Sequence, residues 1–204
     1  MNAVSSEKRK YRMKARAEAQ EETRRRIAAA AAELHEEQGV ARTTVAEIAR
    51  RAGVQRLTVY NHFPELSDLL PACNAHYSSL HPFPDLDPAR ALEDPRERVR
   101  AALVLHYGWY RETQQLLRHI HGDRTTVPEV DALMRAEIDA PRLEVADELA
   151  AGFGLRGKRA ERLRALIALA LEFWTWNRLD AEGLDDEEAA ELMAAALCAV
   201  TPRS

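Results

Sequence analysis

The stretch Thr44–Phe63 limits the possible folds more than any other part of the 204-residue chain. Thr44 can cap the N terminus of a helix, and Glu47, three residues later, can complete a capping box. The apolar residues that follow recur at helical spacing and are Val45, Ile48, Ala49 and Ala52. Gly53 comes next, where a glycine with positive φ commonly ends a helix. These signals predict a short helix with a defined start and end.

A second short helix is predicted after this glycine. Its apolar residues Val54, Val59 and Phe63 can face the protein core. The polar residues between them are free to face outward and are Arg56, Thr58, Tyr60, Asn61 and His62. Two short helices joined by a tight glycine turn are typical of a helix-turn-helix, whose second helix enters the major groove of DNA.

The same stretch resembles the signature of the TetR family of bacterial transcriptional regulators. The matching string, TVAEIARRAGVQRLTVYNHFPELSDLL, runs from Thr44 to Leu70, and the resemblance is specific over roughly residues 24–72. It implies an all-α protein with an N-terminal three-helix head that contains the helix-turn-helix. A C-terminal helical body for ligand binding and dimerisation is implied to follow. The implied function is that of a repressor released from a palindromic operator by a small-molecule ligand.

The resemblance places base contacts at the start of the second, recognition helix. The residues at those positions are Arg56, Leu57 and Thr58, with Asn61 one turn later. An arginine can bind guanine through two hydrogen bonds, Thr and Asn can reach base edges, and a leucine can contact a thymine methyl group. We therefore expect these four side chains to read the DNA sequence.

A second set of residues is expected to contact phosphates, which sets the register of the head without reading sequence. As in relatives, Thr44, Tyr60 and His62 occupy such positions. Arg24 lies near the start of the first predicted helix, where a phosphate can meet both its charge and the helix N terminus. Tyr60 could also pack against the first helix, and His62 could instead support the head.

Three positions depart from the pattern of the family. Gln55 stands where many relatives have a hydroxyl residue that caps the recognition helix, so we expect a weaker cap. Leu57 stands where many have glycine, and its bulk should change base preference. Glu65 and Leu66 follow the Phe-Pro pair in place of a lysine that commonly binds phosphate. That phosphate contact is therefore expected to be missing.

Charge is divided unevenly along the chain. The net charge is −4, yet residues 1–63 carry 13 Lys and Arg against 8 Asp and Glu, whereas the remainder carries 16 against 25. A basic head on an acidic body suits DNA binding. Six of the basic residues lie within nine positions and are Lys8, Arg9, Lys10, Arg12, Lys14 and Arg16. We expect residues 1–19 to form a mobile arm that adds phosphate contacts, or a solubilising extension only.

The remaining domain boundaries follow from the helical pattern. Residues 20–66 are predicted to form the helix-turn-helix DNA-binding domain, and residues 67–204 the ligand-binding and dimerisation domain, with about nine helices in all. Ser67 and Asp185 are the predicted N-caps of the fourth and last helices. Other helices are predicted over residues 20–38, 95–113, 113–121, 127–151 with a kink at Pro141, and 158–180.

Aromatic and other soft side chains of the body suggest an apolar ligand pocket, which the resemblance also implies. The candidates are Tyr77, His106, Tyr107, Trp109, Tyr110, Met134, Phe173 and Trp174. For any one of them, ordinary core packing is the alternative.

The last two helices carry long apolar stripes and are predicted to form a two-fold, four-helix dimer interface. Its candidates are Leu163, Ile167, Ala170, Trp174, Leu192, Met193, Ala196, Leu197 and Val200; the alternative is that they only close the monomer core.

The leading hypothesis is a homodimeric, ligand-responsive regulator that binds double-stranded DNA. Two alternatives stay open, a helical ligand-binding protein with a degenerate head and a helical enzyme. The sequence contains no glycine-rich phosphate loop and no metal-ligand spacing, so we expect no catalysis, cofactor or metal. Two cysteines in no framework and no apolar run of membrane-spanning length favour the cytoplasm of a bacterium.

Overall fold

The computed structural model describes residues 3–198, with side chains from residue 10 to residue 197, and this part of the chain contains helices and no strands. Eleven α-helices and one π-helical segment, Arg135–Asp139, follow one another along it. The helices are α1 (Ala3–Gln38), α2 (Val45–Ala52), α3 (Arg56–His62), α4 (Leu66–Leu80), α5 (Asp87–Arg90), α6 (Pro95–Asp123), α7 (Pro128–Met134), α8 (Ala140–Ala151), α9 (Lys158–Ala170), α10 (Phe173–Ala181) and α11 (Asp186–Cys198). The expected all-α class is therefore confirmed. No helix in this part of the chain is long and apolar enough to span a bilayer.

The chain forms two compact units. The head unit comprises Met1–Leu80 and His119–Val130, and the body unit comprises His81–Arg118 and Asp131–Ser204. The head unit thus includes all of α4 and the last turn of α6, whereas the sequence placed the boundary after residue 66. Helices α6 and α7 each contribute residues to both units.

The head unit is built around α1, which packs against α2 and α4. Ile27, Ala31 and Leu34 are the buried face of α1, as their helical spacing predicts. Val59 and Phe63 close the core from α3 and its C-terminal end, and both are at most 3% exposed. The inward faces of both short helices are therefore those that the sequence indicates.

Helix α1 is much longer than predicted, because it begins at Ala3 and not near residue 20. No glycine or proline occurs between Ala3 and Gln38, so nothing in this stretch breaks a helix. Residues 10–22 are all exposed, and Lys14 and Glu18 form an ion pair at 3.8 Å. An exposed pair of this kind contributes little, about 0.3–0.5 kcal/mol. The basic residues of the predicted arm therefore lie on a helix that continues the head.

In the body unit, α6 is a single helix where two were predicted, over 95–113 and 113–121. Val99, Leu103, Tyr110 and Leu117 form one buried face along it, so no residue near 113 interrupts the packing. The helix ends beside Gly122, where a break was expected. The kink expected at Pro141 takes the form of the π-helical segment that precedes it. Proline offers no N–H to the preceding turn, and a change of helical register accommodates that loss.

The helix predicted over 158–180 is divided into α9 and α10. Leu171 and Glu172 separate them, and Glu172 has an extended backbone with ψ of 136°. Tyr107 and Tyr110 of α6 donate hydrogen bonds to the carbonyl oxygens of residues 170 and 171, at 2.8 and 2.6 Å. These partners satisfy the carbonyls that the break leaves free. An apolar pattern does not reveal such a break, because the apolar run continues through it.

Outside the helix-turn-helix, helix starts agree with the sequence in one of the two predicted cases. Asp185 and Glu188 form a reciprocal capping box before α11, with N···O distances of 3.0 and 2.9 Å. Ser67 is not the N-cap of α4, since the helix begins one residue earlier, at Leu66. The backbone N–H of Glu65 donates instead to the Asp68 carboxylate at 3.3 Å. The capping role therefore belongs to a longer acidic side chain.

Candidate functional site

The helix-turn-helix has the local geometry that its sequence predicts. The Glu47 N–H donates to the Thr44 hydroxyl at 3.3 Å, and the Thr44 N–H donates to the Glu47 carboxylate at 2.9 Å. Gly53 ends α2 with φ of 65°, a left-handed conformation that favours glycine. The turn between α2 and α3 is thus fixed at both sides by short-range contacts.

Helix α3 presents an exposed and chemically mixed surface. Leu57 is 67% exposed and Tyr60 is 52% exposed, whereas Val59 between them is 1% exposed. Arg56 and Asn61 are also exposed, and Thr58 is half-buried. A helix that keeps two large apolar side chains in solvent beside hydrogen-bonding groups is suited to a partner with both methyl and polar edges. The DNA major groove is such a partner.

The two ends of α3 are held differently. Gln55 occupies the N-cap position with an extended backbone, and its side chain makes no capping hydrogen bond, as expected of this residue. At the other end, Arg24 donates to the carbonyl oxygen of His62 at 2.7 Å and lies 4.1 Å from the centre of the Phe63 ring. Arg24 therefore supports the recognition helix from α1 through a charge-assisted contact at its C terminus.

An open cleft lies between α1 and the recognition helix. Its volume is about 490 Å³, and it is lined by Ala17, Gln20, Glu21, Arg24, Thr58, Asn61 and His62. Four of the predicted DNA-binding residues, Arg24, Thr58, Asn61 and His62, thus border one space. The basic residues of α1 continue N-terminally from this cleft.

The connector between α1 and α2 is fixed by a residue from the end of α6. The Asp123 carboxylate accepts hydrogen bonds from the backbone N–H groups of Val40 and Ala41, at 2.7 and 3.1 Å. Gly39 has φ of 86°, and a Cβ atom there would come within 2.7 Å of the same carboxylate oxygen. Glycine thus permits both the turn and the close approach of Asp123.

The body unit contains an aromatic cluster centred on Tyr110. Its ring lies 5.5 Å from that of Phe173, 5.6 Å from that of Trp109 and 6.2 Å from that of His106, measured between centroids. Phe83, from the non-helical segment before α5, meets the His106 ring edge-on at 4.8 Å. Burial raises the pKa of the Tyr110 hydroxyl, which therefore stays protonated.

Charged side chains lie directly beside this cluster. Arg142 donates to the Glu172 carboxylate at 2.6 Å and lies 3.4 Å from the Asp139 carboxylate. Against the larger effect of burial, its positive charge lowers the pKa of the Tyr110 hydroxyl. Only 10% of the Arg142 side chain is exposed, so the guanidinium is held within the unit by these partners. The break after α9 places Glu172 where it can pair with α8.

Comparison with known proteins decides the family. The model of the bacterial regulatory proteins of the tetR family matches residues 27–73, from α1 into α4. The chain is 29% identical over 164 residues to the HTH-type transcriptional activator FasR of Mycolicibacterium smegmatis, covering 77% of this chain and 74% of that protein. This chain belongs to the TetR family of transcriptional regulators.

Two further comparisons agree with this assignment. The HTH-type transcriptional regulator SrpR of Pseudomonas putida is 44% identical over 85 residues, which cover 41% of this chain and 39% of that protein. A solved TetR-like transcriptional regulator from Rhodococcus sp. RHA1 has the same fold, with a TM-score of 0.61 at 19% identity over 89% of this chain and 97% of that one. The TetR fold thus extends over the body, where sequence similarity is low.

The predicted pocket residues of this TetR-family regulator fall in both units. Tyr77 belongs to the head unit, is 8% exposed and donates to Glu36 at 3.3 Å. The body unit contains the others, of which Met134 and Phe173 are buried and Trp174 is 49% exposed. Tyr107 uses its hydroxyl to hold the end of α9. Six candidates share one aromatic cluster, namely His106, Tyr107, Trp109, Tyr110, Phe173 and Trp174.

The predicted pocket residues did not include Phe83 and Trp176, whose rings contact the cluster, or Arg142 and Glu172, which lie beside it. One signal for Glu172 is present, because it is the only charged residue within the apolar run 165–176. A charge in such a run is rarely buried without a partner. Nothing local marks Arg142 as that partner, and Phe83 lies in a proline-rich segment outside the predicted helices.

The structure corrects part of the predicted dimer interface. Leu163, Ile167 and Ala170 are 0% exposed and Leu197 is 2% exposed, so they pack inside the body and present no surface to a second copy. The apolar stripe on α9 therefore faces the core of the body unit. Other candidates keep accessible surface and are Trp174, Leu192, Met193 and Ala196, and Leu169, which was not predicted, is 51% exposed. Val200 lies outside the described residues.

Proposed function

We propose that this protein is a homodimeric repressor that leaves a palindromic DNA operator when a small molecule binds its body. The observation that carries the proposal is the exposed surface of α3, where Leu57 and Tyr60 remain in solvent beside Arg56 and Asn61. The name of FasR describes an activator. The experiments below must therefore first test whether this protein represses or activates transcription.

The DNA contacts are assigned from position and exposure. Arg56, Leu57, Thr58 and Asn61 read bases, because they line the outward face of α3. The phosphate contacts come from Thr44, Tyr60, His62 and Arg24, and the basic residues of α1 add a contribution that does not depend on sequence. Arg24 has a second role in this scheme, since one of its N–H groups already supports α3.

Dimerisation is proposed through the apolar side chains that α9, α10 and α11 leave exposed. Leu169, Trp174 and Leu192 are each about half exposed, at 51, 49 and 50%. Large apolar side chains left exposed on three successive helices support an interaction surface there. Two recognition helices about 34–36 Å apart would then fit successive major grooves of a palindrome.

Effector binding is proposed at the aromatic cluster of the body unit, and α6 offers a route to the head. The helix is continuous from Pro95 to Asp123 and carries His106 and Tyr110 in the body unit. Its last residue, Asp123, binds the backbone before α2 in the head unit. A ligand that prefers one position of α6 would shift the population of head conformations. Helix α4, which ends the first segment of the head unit, is the second link.

The decisive experiment is selection of genomic fragments by the purified protein, followed by footprinting of the enriched site. We expect a palindrome whose half-sites are one helical turn apart, and cytoplasmic expression of a reporter from that site should fall when the protein is present. A rise in reporter expression would replace repression with activation. No enriched site would instead favour a ligand-binding protein with a degenerate head.

A further inference from the structure

Two buried polar atoms of the body unit have no hydrogen-bond partner among the described side chains and backbone. They are Nε2 of His106 and Nε of Arg142. Buried polar groups are nearly always hydrogen-bonded, and each one left unpaired costs stability. Two such atoms beside the same tyrosine therefore point to a ligand or to another bound group that completes them.

The His106 atom is a hydrogen-bond acceptor. Nδ1 of its ring lies 2.9 Å from the carbonyl oxygen of Ala102, and because a carbonyl can only accept, Nδ1 carries the proton. Burial, opposed by this hydrogen bond, lowers the pKa of His106 to about 4, so the ring is neutral near physiological pH. A neutral imidazole with its proton on Nδ1 leaves Nε2 with a free lone pair.

The Arg142 atom is a donor. The terminal nitrogens of the guanidinium face Glu172 at 2.6 Å and Asp139 at 3.4 Å, and neither contact uses Nε–H. The Glu172 carboxylate already binds this guanidinium, so an anionic ligand at Nε would lie beside a group of the same charge. An anionic ligand would therefore meet repulsion in a region of low dielectric.

His106 and Arg142 are brought together by Tyr110. The His106 and Tyr110 rings are 6.2 Å apart between centroids, and the Arg142 charge is near enough to lower the pKa of both side chains. Phe83 covers the His106 ring edge-on at 4.8 Å and is itself 50% exposed. The unpaired acceptor and the unpaired donor thus belong to one aromatic site, and the side chain between His106 and solvent comes from a non-helical segment.

We propose that this site binds a neutral aromatic molecule through a hydroxyl group that donates to His106 Nε2 and accepts from Arg142 Nε–H. A hydroxyl is the smallest neutral group that satisfies both atoms at once. The rings of Phe83, Tyr110 and Phe173 favour a hydroxyl group that is attached to an aromatic ring. Edge-to-face contacts between rings add to the free energy that burial of a planar ligand provides. The inference rests on the proposed function, since it names the chemical class of the effector.

Three small probes test the site without DNA, namely phenol, toluene and benzoate. Phenol and toluene have nearly the same shape. Toluene is more apolar and would bind more tightly than phenol in a site without unpaired hydrogen-bonding groups. We expect phenol to bind about tenfold tighter than toluene, because the methyl group leaves two buried polar atoms unpaired. Benzoate should bind more weakly than phenol. Titrations followed by the indole N–H signals of Trp109 and Trp174 measure all three affinities.

Two variants assign the preference to the named atoms. His106→Asn keeps a donor near the Nδ1 position and removes Nε2, and Arg142→Lys keeps the positive charge and removes Nε. Each should bring phenol and toluene to within a few-fold of each other while toluene affinity changes little. Retained toluene binding also shows that each variant is folded, and the wild-type comparison stands even if a variant fails to fold.

The outcomes separate this inference from the proposed function. Equal or tighter binding of toluene, tightest binding of benzoate, or an unchanged phenol preference in both variants would overturn the hydroxyl site. DNA selection could still succeed in that case. Conversely, a phenol preference that needs His106, with operator affinity unchanged at saturating phenol, supports the hydroxyl site and contradicts effector release.

Discussion

The head and body units satisfy their polar groups in opposite ways. In the head, backbone groups at helix ends are bound by nearby side chains such as Thr44 and Asp123, and the polar side chains of α3 face solvent. In the body, Nε2 of His106 and Nε of Arg142 are buried without a hydrogen-bond partner among the described residues. A surface that offers polar groups to water suits a large, hydrated partner such as DNA. A buried pair that lacks its partner suits a small molecule that can be enclosed.

The largest effect should come from removing the exposed face of the recognition helix. Arg56→Ala combined with Tyr60→Ala is expected to weaken operator binding about 100-fold, since each DNA contact is worth roughly 1–3 kcal/mol. Thermal unfolding should hardly change, because both side chains are exposed. Fluorescence anisotropy with the selected operator measures the affinity. The exposed body residue Arg159 provides a control through Arg159→Ala, and an equal loss there would contradict a local role for α3.

The second prediction tests the buried imidazole of each unit. Burial lowers the pKa of His35 to about 4, partly offset by Asp123, and lowers that of His106 to about 4 as well. The unfolded chain binds these protons below pH ~6.5, so stability is full above that value and is lost as the pH falls towards 4. Each histidine should cost about 2 kcal/mol by pH ~5. Urea unfolding at fixed protein concentration measures this.

Matched variants show which unit loses that stability. His35→Gln should flatten the acid dependence of the head, and His106→Asn that of the body, each by about the same amount. Far-ultraviolet circular dichroism alone would not separate the units, so hydrogen exchange in α2 and α10 is the better measurement. An acid dependence that is identical in wild type and both variants would assign the loss to other groups.

The two units also differ in what their sequences reveal. The capping box at Thr44 and the turn at Gly53 depend on residues within a few positions, and those signals predict the geometry of the head. The pairing of Arg142 with Glu172 depends on a chain reversal between α8 and α9, which no local pattern encodes. The packing partner of the apolar stripe that contains Leu163 and Ile167 is equally hard to predict from a local pattern. Helical spacing identifies a buried face, but it does not say whether the same chain or a second copy covers it.

The third prediction concerns the break between α9 and α10. Tyr107→Phe removes the hydroxyl that donates to the carbonyl oxygen of Ala170 at 2.8 Å and leaves that carbonyl without this partner. We expect a loss of about 1–3 kcal/mol in the free energy of unfolding. Tyr77→Phe is the matched control in the head, because its hydroxyl contacts the partly solvated Glu36. If both variants lose the same stability, the break does not depend on Tyr107.

The smallest effect is expected at Gln55, where the head departs from its own pattern of local capping. Gln55→Ser should stabilise the protein by about 0.5–1 kcal/mol, because a serine hydroxyl at this extended position can accept from the Thr58 N–H. Gln55→Ala offers no acceptor and should leave stability nearly unchanged, since the native side chain makes no capping bond. Equal stability of the Ser and Ala variants in urea unfolding would mean that another contact already fixes the start of α3. A gain in the serine variant alone would show that α3, unlike α2, begins without a side-chain cap and relies on Arg24 at its other end.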